Sequence, residues 1–145
     1  MSETINLTLT VHSVIDNLSD AGLPEGEPEI SIFTTDGTLT VSDRGMKLAF
    51  TETDESSVTT STLYLTGEDV ILFKRGAINA DMRFSEGVCE KTLYRVGPYA
   101  FDMTVKTKRI KRELDENGGE LRLLYSMNVG GQEKDVRMKI TAKRK

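Results

Sequence analysis

The chain has 145 residues, 37% of them hydrophobic and 29% charged, with a formal net charge of −4. That length predicts a single domain spanning residues 1–145, burying roughly 70% of its unfolded surface without help from metal or disulfide. One cysteine excludes an intrachain disulfide, one histidine excludes a multi-histidine metal site, and nine Phe plus Tyr with no Trp are too few for two membrane girdles.

Residues 4–14, TINLTLTVHSV, alternate cleanly: Ile5, Leu7, Leu9 and Val11 share one face, opposite Asn6, Thr8, Thr10 and His12. Period two with β-branched residues predicts a half-buried strand. Residues 16–29, DNLSDAGLPEGEPE, form an acidic, Gly- and Pro-rich connection. From Glu29 the strand pattern is continuous. EISIFTT and TLTVSD are separated by Asp36-Gly37, a strong hairpin signal because both central positions favour positive φ. MKLAFTET, VTTSTLYLT and VILFKR follow, and further strands run on between turn glycines 76, 87, 97, 118 and 130. No segment holds a helical period over 12 or more residues. Nine to eleven strands predict an all-β, antiparallel closed barrel, with a two-sheet sandwich as the alternative.

Arg75-Gly76, Met82-Arg83-Phe84, Glu86-Gly87, Tyr94 and the alternating Phe101–Thr107 segment resemble the YwiB-like family. Phe50-Thr51-Glu52 and Gly119, Leu121, Leu123 and Tyr125 fit the same pattern. The turn at Val96-Gly97-Pro98-Tyr99 departs from the family's Thr-Pro-Tyr-Gly. The resemblance implies a calycin-type (lipocalin-like) barrel from a bacterial cytoplasm, and brings no known reaction. The N-terminus lacks a basic, then apolar, leader pattern, and no apolar run approaches the roughly 20 residues of a spanning helix, so no signal peptide or membrane helix is predicted.

Parity along the strands gives a candidate site. Met46, Leu48 and Phe50 lead to Glu52; Ile71 and Phe73 lead to Arg75; Tyr99, Phe101, Met103 and Val105 lead to Thr107; and Leu121, Leu123 and Tyr125 lead to Met127. Glu52 and Arg75 are therefore predicted inside the barrel, with Tyr94, Thr107 and Tyr125 beside them. A structural ion pair and a polar floor under a small-molecule site both fit that arrangement; in the second, Arg75 would hold a carboxylate or phosphate.

No catalytic constellation, metal cluster or cofactor motif is present. His12 with Ser13 and Asp16 names triad residue types, but strand neighbours point apart. Residues 1–70 carry a net charge of −11 and residues 71–145 a net of +7. Lys108, Arg109, Lys111 and Arg112 form the densest basic run. It reads as a strand leaving the barrel into solvent, or as a surface for an anionic partner. Nucleic acid is disfavoured because no aromatic residue is interleaved with these bases. The predicted function is non-enzymatic binding of a small, partly apolar or anionic ligand. The alternative is an interaction module using the basic second half.

Overall fold

The structure, a computed structural model, describes residues 2–54 and 56–145. Ten antiparallel strands follow one another: β1 (Glu3–Asn17), β2 (Glu29–Ser42), β3 (Gly45–Asp54), β4 (Ser57–Thr66), β5 (Asp69–Gly76), β6 (Ile78–Phe84), β7 (Cys89–Val96), β8 (Tyr99–Asp115), β9 (Gly118–Val129) and β10 (Gln132–Arg144). Each pairs with the next in sequence, and β1 pairs with β10, so the sheet closes into a barrel. Closure gives every strand a neighbour on both sides, where an open sheet would leave two edge strands.

The alternation read in β1 sets the inner face: Ile5, Leu7, Leu9 and Val11 are each at most 4% exposed. Leu39, Leu48, Leu63, Val70, Leu72, Phe84, Met103, Val105, Leu121, Leu123 and Ile140 meet them from the other strands, so side chains fill the body of the barrel. This packing supplies most of the driving force, on the order of 1.5–3 kcal/mol for each large apolar side chain removed from water.

Three expectations need correction. Asp36-Gly37 is not a turn. It lies within β2, where Gly37 sits opposite Leu7 on one side and Phe50 on the other. A Cβ on Gly37 would lie 2.5 Å from Leu9 Cδ1 and 2.8 Å from the Ala49 carbonyl oxygen, so close approach accounts for this glycine. The basic run does not leave the barrel either, because β8 continues to Asp115 in register with β9. A bulge between Thr107 and Arg109 inverts its parity, so Thr107 is buried above it and Leu114 below.

The third correction is β5. Val70 and Leu72 point inward, while Ile71, Phe73 and Arg75 lie on the outer side. Phe73 stacks edge-on against Tyr64 of β4, with ring centroids 5.6 Å apart. Apolar residues occupy both faces of this strand, so alternation alone did not fix which face turned in.

Where β6 and β7 share only three pairs, Ile78–Ala80 with Tyr94–Val96, the wall is stitched differently. The Ser85 amide donates to Thr107 Oγ1 (3.1 Å), the Gly87 amide to the Thr107 carbonyl (3.0 Å), and the Ile110 amide to Glu86 Oε2 (2.8 Å). The turn after β6 is thereby tied to the β8 bulge, and backbone donors outside the ladder find partners.

Candidate functional site: a cavity at the barrel mouth

One end of the barrel is not filled. The β2–β3 ladder stops at the Gly37–Phe50 pair, and above it the two strands part. Thr35 Oγ1 donates to the Thr51 carbonyl across the start of the seam (3.2 Å). Above that contact lies a cavity of about 860 Å³, lined among others by Phe33, Glu52, Ser57, Thr59, Ile78 and Val96. Glu52 is the one ionisable side chain in its lining among the described residues. One wall is apolar. The other is a ladder of hydroxyls, because Ser57, Thr59 and Ser61 sit at alternate positions of β4 and so share the inner face.

The bottom of that ladder is unusual. Ser61 is 1% exposed, and its Oγ has no hydrogen-bond partner among the described residues. A buried, unpaired hydroxyl costs on the order of 1–3 kcal/mol. Beside it in register, Phe50 packs against Phe33, with ring centroids 6.3 Å apart.

The five residues predicted to meet inside divide as follows. Glu52 is half-buried on the cavity wall. Tyr94 is half-buried against the core, and its hydroxyl pKa is raised, first by burial and then by the negative charge of Glu52. Tyr125 is buried, with its ring 4.7 Å from that of Phe84, and its pKa is raised by burial and then by Tyr94. Thr107 pairs with Tyr125 in register and accepts the Ser85 amide. Arg75 does not join them. It lies outside, paired with Asp81 (2.7 Å) and 5.6 Å from the Phe73 ring centroid, with more than half of its side chain exposed. No Glu52–Arg75 pair exists, because the two residues point to opposite sides of the wall.

Tyr125 makes the fold sensitive to alkali. Its pKa lies above the ordinary value of 10.0, so the neutral form is the one the folded state favours. This contribution is complete below pH 10 and is lost as pH rises through the higher folded value. The urea midpoint should therefore fall above pH 10, and fall less steeply in Tyr125→Phe. Identical alkaline profiles for the two proteins would contradict this.

The basic run is also split. Lys108, at the bulge, bonds Asp135 (3.1 Å), whose other partner is the Ser126 hydroxyl (2.6 Å). Hydrogen bonding from Ser126, then Lys108, holds the Asp135 carboxyl below its usual pKa. Arg112 turns to the carbonyls of Gly67 and Asp69. Arg109 and Lys111 remain on the outer face, where register brings His12, Arg122, Arg137 and Lys139 beside them around a shallow concavity. Arg122 pairs with Glu120, and Lys111 with Glu113. The sequence reading missed Arg122, Arg137 and Lys139 because they lie on two other strands. Their outward parity was the available signal.

The chain is 25% identical over 136 residues to the uncharacterized β-barrel protein YwiB of Bacillus subtilis (strain 168), covering 94% of this chain and 91% of that one. The crystal structure of ywiB protein from Bacillus subtilis has the same fold, with a TM-score of 0.79 at 22% identity over 95% of this chain and 92% of that chain. Residues 20–140 match the family model described as a domain of unknown function, DUF1934. With that match covering most of the barrel, the chain belongs to the DUF1934 family.

Proposed function

We propose that this barrel is a non-enzymatic binding protein, calycin-like in use as well as shape, holding a small, partly apolar ligand at its mouth. The observation that carries this reading is the amphipathic cavity of about 860 Å³ above an otherwise filled core. Binding sites of this kind combine an apolar wall with a few fixed polar groups. Here those groups are the Glu52 carboxylate and the β4 hydroxyls. The anionic ligand expected from an inward Arg75 loses its anchor, because that guanidinium lies outside. A carboxylate in a half-buried wall favours a ligand bearing an ammonium or hydroxyl donor, which would form a charge-assisted hydrogen bond there.

A bacterial cytoplasmic setting belongs to this reading. The outer face of β8–β10 carries Arg109, Lys111, Arg122, Arg137 and Lys139, and such charges facing lipid would cost about 2–4 kcal/mol each near the bilayer midplane. The same row of cations supports a second reading, a surface for an anionic partner. Glu113 and Glu120 neutralise part of it.

Thermal shift with hexylammonium, hexanol and hexanoate tests the first reading. Hexylammonium should raise the melting temperature most, and Glu52→Gln should remove most of that rise, since a ligand that binds only the folded state stabilises it in proportion to RT ln(1 + [L]/Kd). No rise with any of the three would contradict ligand binding at the mouth.

A further inference from the structure

The seam also leaves a free strand edge beside the cavity, whose lining it shares through Ser31, Phe33, Thr34 and Thr35. Residues Glu29–Asp36 of β2 pair with β1 along one side, from Ile15–Glu29 to Thr8–Asp36. On the other side they have no ladder partner among the described residues, since pairing with β3 begins only at Gly37. This stretch is already extended, about 26 Å long at 3.3 Å per residue. It also shows side chains that an ordinary edge strand would hide. Ile30 and Ile32 are 63% and 64% exposed, at alternate positions of the same face.

We propose that this free edge of β2 accepts an added strand from a basic, aliphatic, extended peptide. An exposed edge is a template: its unpaired amides and carbonyls supply main-chain hydrogen bonds, and alternate side-chain positions supply selectivity. Ile30 and Ile32 offer an aliphatic strip to one face of the incoming strand, and Phe33 lies on the other face toward the cavity.

Charge decides the partner. Residues 1–43 contain no Lys or Arg. Glu25, Glu27 and Glu29 precede or begin the edge, and Glu52 faces it across the seam. A second copy of this chain, pairing edge to edge, would bring these acids against each other, which is destabilising when like charges stand opposite or nearby on paired strands. A peptide alternating Lys with Val meets the acids with cations and the isoleucines with aliphatic groups. This inference does not depend on a small molecule occupying the cavity.

The test uses the full chain and an acetylated, amidated octapeptide of alternating Lys and Val, shown to be monomeric by sedimentation. Titration calorimetry should detect binding that weakens at least about tenfold when the lysines become glutamates, as expected when charge complementarity is reversed. Methylating alternate peptide nitrogens should also abolish it by removing main-chain donors. Hydrogen exchange should slow at residues 29–36 in the complex, and Ile30→Lys/Ile32→Lys, which changes two exposed side chains, should eliminate the protection. The same double variant separates the two readings: it should lose edge protection while hexylammonium stabilisation remains, because neither isoleucine lines the cavity. No binding, or binding that survives nitrogen methylation without protecting residues 29–36, would overturn the proposal. A self-associated chain whose dimer protects those amides would overturn it in favour of a second copy.

Discussion

Replacing Gly119 with alanine should lower stability by about 3 kcal/mol or more, at or above the top of the ordinary range for point mutants. Gly119 has φ = +130°, a region L side chains rarely adopt. A Cβ there would overlap the Glu113 carbonyl oxygen and lie 3.1 Å from Leu114 Cα. Both obstacles are backbone atoms, in a strand that the β8–β9 ladder holds in place. Neither can swing aside as a flexible side chain could. Backbone strain in such a region costs of order 1–3 kcal/mol by itself, and the overlap adds to it. Urea denaturation of Gly119→Ala would measure the loss. A change under about 1 kcal/mol would show that the start of β9 is not fixed as described.

Phe84→Ala should cost about 3–5 kcal/mol, the range for deleting a buried aromatic ring. Phe84 is fully buried at the end of β6, and its ring packs 4.7 Å from that of Tyr125. Just beyond it, the Ser85 amide is tied to Thr107. Removing the ring leaves a cavity under a stretch of wall that depends on side-chain stitching rather than a long ladder. Large unfolding shifts in Phe84→Ala, beside small ones for an outward substitution such as Leu93→Ala, would fit this placement. Similar small shifts for both would contradict it.

Much of the barrel was legible in the sequence, and the reasons are specific. Alternation in β1 named its four core residues, because only one of its faces is apolar. The closed antiparallel sheet followed from strand number and turn spacing. Glu52 was reached by the same logic, since Met46, Leu48 and Phe50 leave little choice of face. The failures have the opposite cause. β5 is apolar on both sides, so parity carried no information there and Arg75 was placed on the wrong side. At Asp36-Gly37 a local turn preference yielded to the demand of Leu9 for space across β1 and β2. The bulge after Thr107 falls in a run of bases with no glycine to mark it, and only the switch of apolar positions from Met103 and Val105 to Ile110 and Leu114 betrays it.

The seam could not have been found in this way. It depends on where the β2–β3 ladder ends, which is a relation between two strands and not a property of either. The outer cationic face has the same origin, assembled by register from β1, β8, β9 and β10. Both were invisible in any single stretch of sequence, although each contributing side chain had the parity needed to find it.

The central claim is that the working surface is the mouth cavity, with Glu52 turned into it. Amide chemical-shift mapping on adding hexylammonium tests this most directly. Shifts concentrated at Phe33, Glu52, Thr59, Ile78 and Val96, and lost in Glu52→Gln, are the predicted result. Shifts scattered over the outer face, or no shifts at these five positions at saturating amine, would contradict it.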